Sequence, residues 1–477
     1  MPSTPDQRQK VELQRCLESF DDQFREWRVR VTRPEWCMHY SQVQVATGML
    51  EGLSSQLKVS LESGKDASGK PVDLSRVEPV VLSAWRVWEA FRGRLSQRQE
   101  DMFRTGLQAA DELAWAIRQR FAKVLGGAMP TEPALCYLNG GVSPTALVRG
   151  VPFAEEAVRG EPVQMEAQEI LRRLPVPLIS LPWTEVFHAP SMVSIAHETG
   201  HVMEIDAGLS DTLASTVPVA AKDRKWQAWA KEIFADHIAM RACGAGFAIF
   251  LADLLAPLKK ARKLPLPAYP AEYDTRMELC HAALEQMGHQ EKAANLRSEW
   301  ITLSGELVIK QDMLDKAAEV VRALGQMKVG DKTLAETVDF TLEDDRKVQR
   351  IMEDLRQNPS RIANQQATHV AAAAACLFHE EPEFFDELAR TQDVQQVMLR
   401  AVEGQGRRRA GRRVDFRRFK TPSPTGTGAV EGIFDRHGDL GAQLALELMT
   451  MKRRQAASGK RAPKAREQVP SPASKPQ

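Results

Sequence analysis

Apolar residues recur at helical spacing along most of the chain. Near the N-terminus they fall every three or four positions, at Val11, Leu13, Leu17, Phe20 and Phe24. The pattern continues to the glycine pair 126–127, a typical helix stop, and returns over residues 191–255 and 291–405. In the last of these ranges, residues 369–378 ("HVAAAAACLF") are the segment expected to be most deeply buried. The pattern predicts a mainly α protein.

Residues 130–190 depart from this pattern because proline and glycine become more frequent. Within them, "LPVPLISLPW" (174–183) is a short apolar run bounded by prolines, which predicts a single β-strand. Proline cannot donate a backbone hydrogen bond to a neighbouring strand, so this strand is expected at a sheet edge. The predicted fold class is therefore mainly α with a small β element (α+β).

Changes in composition divide the 477 residues into four regions. Residues 1–128 form a helical N-terminal region, and residues 129–290 contain the candidate site described below. Residues 291–405 form a helical C-terminal region. Residues 406–477 combine a basic linker with a tail of Lys, Pro, Ser and Ala, which is expected to be largely disordered because it offers too little apolar surface to bury.

The net charge of +1 excludes nucleic-acid binding driven by the charge of the whole molecule. A local cluster of arginines is the one place where such binding is conceivable, with Phe416 and Phe419 interleaved to stack on bases. The same cluster also fits a solvated linker, or a docking strip for an acidic partner or for the acidic residues 380–387. Its members are Arg407, Arg408, Arg409, Arg412, Arg413, Arg417 and Arg418.

The sequence indicates a cytoplasmic protein. Its N-terminus is polar and lacks the apolar segment of a signal peptide, and no run approaches the roughly 18 apolar residues of a membrane span. The six cysteines lie far apart without a CxxC pair, a distribution typical of reduced thiols.

His197, Glu198 and His201 form an H-E-x-x-H pattern inside an apolar stretch. On a helix, positions i and i+4 share a face, so both imidazoles can bind one metal ion. Glu198 then lies beside the ion, where it can take a proton from a metal-bound water. The alternative is a pair of hydrogen-bonded core histidines.

The residues around this pattern predict the ends of its helix. Ser191 is a suitable N-cap, and Ala207-Gly208 provides the usual C-terminal glycine. Gly200 lies in mid-helix, where it is unfavourable. We therefore expect it to permit the close approach of another element or of a substrate.

A second helix predicted over residues 226–244 carries two acids one turn apart, Glu232 and Asp236. Catalytic zinc commonly has three protein ligands, and His₂Glu is a standard set, so Glu232 is the candidate third ligand. Asp236 can accept the free ring N–H of a ligating histidine. A solvated helix face is the alternative, although unpaired carboxylates are costly on so apolar a helix.

Together, His197-Glu198-x-x-His201 and Glu232-x-x-x-Asp236 resemble the gluzincin metallopeptidases, which include thermolysin-like and CAAX-prenyl-type proteases. The resemblance covers residues 170–290. It implies a zincin-like catalytic domain built from an active-site helix and a second, Glu-bearing helix. It also implies a zinc ion (Zn²⁺) bound by His197, His201 and Glu232, with Glu198 as general base and Asp236 as the hydrogen-bond partner of His197.

The resemblance has two further implications. In that group an apolar edge strand before the active-site helix pairs with extended substrate, and "PVPLISLP" occupies that place here, with a buried structural strand as the alternative. Residues 269–288 resemble the segment that follows the third ligand, with Tyr269 where those proteases have a histidine. The side chains considered as oxyanion donors, each of which also fits a surface or packing role, are Tyr269, Tyr273, Arg276 and His281.

Two functions of different classes follow. The first is a zinc-dependent intracellular metallopeptidase that hydrolyses peptide bonds of a protein or peptide substrate through a water activated by zinc and Glu198. The second is a catalytically inactive or non-peptidase zincin-like scaffold that binds protein or nucleic-acid partners. The intact H-E-x-x-H, with its general base, favours the enzyme.

Overall fold

The protein is described by a computed structural model. It covers residues 3–33, 36–66, 69–126, 132–141, 143–150, 165–261, 273–305, 311–357, 362, 365–403 and 431–450. Over these ranges the chain is mostly helical with a small sheet element, which confirms the mainly α prediction. None of the helices in these ranges combines the length and apolarity that crossing a membrane requires.

The helices follow the predicted apolar periodicity closely. Of residues 369–378, all but the partly buried Phe378 are buried as expected, within a helix whose buried stretch extends from Ala367 to Leu377. The helices are α1 Pro5–Arg30, α2 Tyr40–Ser63, α3 Leu74–Ser96, α4 Asp101–Leu125, α5 Met165–Arg173, α6 Ser194–Asp206, α7 Ser210–Ala220, α8 Ala230–Cys243, α9 Ala245–Ala261, α10 Tyr273–Gln286, α11 Gln290–Ser304, α12 Gln311–Gln326, α13 Leu334–Thr337, α14 Leu342–Gln357, α15 Ala367–Glu380, α16 Leu388–Glu403 and α17 Glu431–Thr450.

Three strands form a sheet in the order β1-β3-β2, namely β1 Leu135–Asn139, β2 Thr145–Leu147 and β3 Leu178–Pro182. β1 runs parallel to β3, and β2 runs antiparallel to it. A two-residue hairpin, β4 Lys328–Val329 and β5 Lys332–Thr333, lies apart from this sheet.

The expected strand in residues 174–183 is present as β3, but its prediction as an edge strand is wrong. β3 lies between β1 and β2. The prolines do not prevent this, because Pro175 and Pro177 precede the strand and Pro182 is its last residue. The donors in the middle of β3 therefore remain available to both neighbours, and the edge positions belong to β1 and β2.

The sheet separates two hydrophobic clusters, because successive side chains of a strand point to opposite faces. Leu135, Tyr137 and Leu178 join a cluster with α1, α2, α3, α5 and α17. Cys136 and Ile179, from the same two strands, join a larger cluster built on α4, α6 to α12 and α14 to α16. The candidate site lies in this larger cluster.

The helix that carries the H-E-x-x-H pattern begins later than its sequence suggests. A 3₁₀ helix at Ala189–Val193 precedes α6, and the Ser191 hydroxyl hydrogen-bonds Nδ1 of His188 at 2.7 Å instead of capping α6. The predicted end is confirmed, because Gly208 follows α6 with a φ of 64°. α6 therefore spans about three and a half turns and presents both histidines from its middle.

Candidate metal centre

Close packing of α6 against α8 brings the two halves of the candidate site together. Gly200 makes this approach possible, because a Cβ there would lie 2.7 Å from the Cα of Ala235. The close neighbour expected at Gly200 is thus the second helix of the site. Glu232 and Asp236 lie one turn apart on α8, on either side of this contact in sequence.

The side chains of His197, His201 and Glu232 converge on one point. Nε2 of His197 lies 3.2 Å from Nε2 of His201. The Glu232 carboxylate faces both rings, with Oε2 3.4 Å from Nε2 of His197 and Oε1 3.5 Å from Nε2 of His201. These are the three residues of the described chain that could hold a metal ion together.

These spacings are close to those of a tetrahedral metal site, for which zinc gives the reference distances. Zinc bonds to histidine nitrogen and carboxylate oxygen are about 2.0–2.2 Å long, so neighbouring ligand atoms in a tetrahedron lie about 3.3–3.6 Å apart. The two imidazole nitrogens are 3.2 Å apart, just below this range, and the distances of 3.4 and 3.5 Å run from them to the two different oxygens of Glu232. Two imidazoles and one carboxylate also leave one coordination position open, as catalytic zinc requires.

Asp236 and Arg276 form a second layer behind His197. Oδ1 of Asp236 lies 2.8 Å from Nδ1 of His197, which directs Nε2 of that ring toward Glu232 and His201. From α10, Arg276 donates two hydrogen bonds to the same carboxylate, from Nε at 2.8 Å and from a terminal nitrogen at 2.7 Å. All three side chains are largely shielded from solvent, so charge pairing and hydrogen bonding must compensate for desolvation.

The pKa values of the two imidazoles move in opposite directions. Burial alone would lower the pKa of His197, but its bonds to Asp236 and Glu232 outweigh burial and raise this pKa to about 10. Burial and the adjacent charge of His197 lower the pKa of His201 to about 4. The pair thus holds one positive charge beside two carboxylates. A metal ion can replace that proton, because histidine ligates metals in its neutral form.

Glu198 lies beside this cluster and is not part of it. Its side chain is buried, and the backbone of Ala146 in β2 is close enough to its carboxylate to favour the charged form and lower its pKa. Burial raises the pKa of Glu198, while the positive charge of His197 lowers it. The edge strand β2 therefore lies against the acid that was predicted to act as general base.

The three converging side chains are partly open to solvent. Side-chain exposure is 13% for His197, 18% for His201 and 33% for Glu232, whereas Asp236 behind them is 3% exposed. A ligand can therefore approach from the side of Glu232, while Asp236 behind the cluster remains shielded from solvent.

No protein-family model, curated protein or solved structure matches this chain. The case for a metal centre therefore rests on the chemistry of the described residues alone.

The other predicted residues do not join the cluster. Tyr273, at the start of α10, packs against the larger hydrophobic cluster. Arg276 is bonded to Asp236, as described above, and His281 points toward Glu278 and Arg297 instead. Tyr269 and the arginines 407–418 lie outside the described residues.

Two parts of the site, β2 and Glu185, were not predicted from the sequence. β2 is only three residues long, and no apolar alternation marks it. Glu185 lies in a 3₁₀ helix before α6, where its Oε2 accepts a hydrogen bond of 3.3 Å from the hydroxyl of Ser194. Neither has a spacing signal, because both reach the site through tertiary packing.

Proposed function

We propose that this protein is a zinc-dependent metallopeptidase of the gluzincin type, with a zincin-like catalytic domain. In this proposal His197, His201 and Glu232 bind zinc, and Glu198 is the general base. The observation that carries the proposal is the convergence of the His197, His201 and Glu232 side chains, with Asp236 hydrogen-bonded behind His197. When bound, zinc supplies Lewis-acid polarisation of a substrate carbonyl and lowers the pKa of water.

Glu198 is suited to transfer a proton in this reaction. A general base works best when its pKa lies near the operating pH, and burial shifts the pKa of Glu198 in that direction. Its carboxylate accepts the proton of the attacking water and returns it to the leaving amine. The backbone of Ala146 favours the charged form of this carboxylate, which is the form that accepts the proton.

The edge strand β2 is the candidate binding element for an extended peptide. One edge of β2 pairs with β3, and the other lies beside Glu198. A peptide can add to a sheet edge through main-chain hydrogen bonds. Arg149, just after β2, forms a buried ion pair with Asp206 at the end of α6, so the strand and the active-site helix are held together.

The thiols of the described cysteines are consistent with action in a reducing compartment such as the cytoplasm. Cys136, Cys243, Cys280 and Cys376 are buried, Cys16 is exposed, and all five are unpaired.

The proposal is tested by comparing the wild-type chain with Glu198→Gln. Elemental analysis should find one zinc per chain in both, whereas cleavage should be lost in the variant only. Cleavage is measured by comparing new protein N-termini in cells that express either chain. Glu204→Gln, on the same helix and bonded to Ser210, is the matched control and should retain activity.

Three results would contradict the proposal. Full activity of Glu198→Gln would show that Glu198 is not the general base. Absence of bound zinc would show that His197, His201 and Glu232 do not form a zinc site. Stable zinc binding without cleavage of any protein would instead favour a zincin-like scaffold that binds partners.

A further inference from the structure

Glu185 brings a second carboxylate close to Glu198. Its Oε2 is bonded to the hydroxyl of Ser194, the first residue of α6. Ser194 and Glu198 are four residues apart and therefore lie on the same face of the helix. Glu185 is thus anchored about 6 Å along α6 from the proposed general base, the rise of four helical residues.

Glu185 has no cationic partner among the residues that the structure describes. The one hydrogen bond to its carboxylate in these ranges comes from a neutral hydroxyl. Burial raises the pKa of Glu185 to about 7, the bond from Ser194 lowers it, and the negative charge of Glu198 raises it further. A partly buried carboxylate without a counter-charge is unfavourable, and a ligand cation would relieve that cost.

The separation of Glu185 from Glu198 along α6 can be compared with the length of a bound peptide. Successive residues of an extended chain are about 3.3–3.6 Å apart. A cation paired with Glu185 would therefore lie one or two residues from the carbonyl attacked beside Glu198.

We propose that Glu185 is a specificity-determining residue that selects substrates with a cationic group one or two residues from the scissile bond. The cation is a free peptide α-ammonium group or the side chain of a lysine or arginine. This inference rests on the proposed peptidase function, which provides the scissile bond.

The test uses the full-length, zinc-loaded chain and matched fluorogenic peptides. One arm compares free with acetylated N-termini, and the other compares arginine with its neutral isostere citrulline at each position near the cleavage site. The variants are Glu185→Gln, which can still accept the Ser194 bond, and the charge reversal Glu185→Lys. Glu319→Gln is the control, because Glu319 is exposed on α12 and pairs with Arg322 of the same helix.

The wild type should cleave the cationic peptide of one arm about 10- to 100-fold more efficiently than its neutral partner, the range expected for a shielded charge pair. Glu185→Gln should abolish this preference through KM, with little change in kcat for neutral peptides. Glu185→Lys should favour peptides with glutamate at the same position. The arm that shows the preference identifies the source of the cation.

Binding measurements separate this inference from the proposed function. Fluorescence anisotropy with the Glu198→Gln chain measures affinity without turnover. If cationic peptides bind through Glu185 but the wild type cleaves nothing, Glu185 is a cation-binding residue, whereas the peptidase proposal and the position relative to a scissile bond both fail. If cleavage occurs with equal efficiency for charged and neutral peptides, the peptidase stands and the role of Glu185 is refuted. Absence of both binding and cleavage overturns both.

Discussion

Asp236 holds the imidazole of His197 from behind, through a 2.8 Å hydrogen bond between Oδ1 and Nδ1. This bond fixes which ring nitrogen faces Glu232 and His201. It also makes the ring a stronger donor toward a metal, because a carboxylate on Nδ1 increases the electron density at Nε2. Arg276 in turn holds Asp236 with two hydrogen bonds, so three side chains from α6, α8 and α10 act as one unit.

Asp236→Asn should weaken zinc binding about 10- to 100-fold without preventing it, the usual effect of losing an outer-layer carboxylate. Competition with a chromophoric chelator measures this affinity. Asp211→Asn, an exposed position on α7, is the control and should bind zinc like the wild type. Equal affinities for Asp236→Asn and the wild type would show that the bond to His197 does not support the metal.

Arg276→Met should destabilise the fold by about 3–5 kcal/mol, because it removes the permanent positive charge beside the buried Asp236 carboxylate and leaves only His197 to pair with it. Arg276→Lys keeps the charge but not the bidentate hydrogen bonding, so it should reduce the stability of the fold by less. Urea unfolding measures the free energy of unfolding of both variants. If Arg276→Met unfolds like the wild type and lowers only kcat, the guanidinium acts on the substrate, as the oxyanion hypothesis proposed.

Gly200→Ala should cost about 1–3 kcal/mol of stability, because the added methyl group would lie 2.7 Å from the Cα of Ala235. It should also lower zinc affinity, since pushing α6 away from α8 separates the histidines from Glu232. Gly93→Ala, in α3 with nothing within 4 Å, is the matched control and should stabilise by up to about 1 kcal/mol. A stabilised Gly200→Ala chain would contradict the close helix contact.

Glu185→Gln should make the stability of the chain less sensitive to pH. The pKa of Glu185 is raised from about 4.5 to about 7 on folding, so the folded state binds its proton more tightly than the unfolded state. Stability therefore falls as pH rises from 4.5 to 7 and stays reduced above 7. The variant should equal the wild type near pH 4 and exceed it by an amount on the order of 2 kcal/mol above pH 7.

This difference is measured by urea unfolding at a series of pH values in the presence of a chelator, so that zinc binding does not contribute. Glu319→Gln should follow the wild type throughout. A Glu185→Gln chain that gains no stability between pH 4 and pH 8 would show that the carboxyl group is not perturbed.

Local sequence patterns account for much of the fold. Helical periodicity depends on residues a few positions apart, so the helices and the clustering of Glu232 and Asp236 on one turn could be inferred before any coordinates. The position of β3 could not, because whether a short apolar strand lies inside or at the edge of a sheet depends on partners distant in sequence. The same limit applies to Arg276, whose partner Asp236 is 40 residues away.

The three-stranded sheet has a different hydrophobic cluster on each face. The N-terminal helices and the chain that follows residue 129 therefore depend on each other for stability. A fragment that begins near residue 129 would expose Leu135, Tyr137 and Leu178 to solvent. A fragment that ends near residue 129 would lack the sheet face against which α1 to α3 pack. Trimming the chain to residues 129–290 should therefore yield aggregates, and efforts to crystallise or engineer this protein should retain the N-terminal helices.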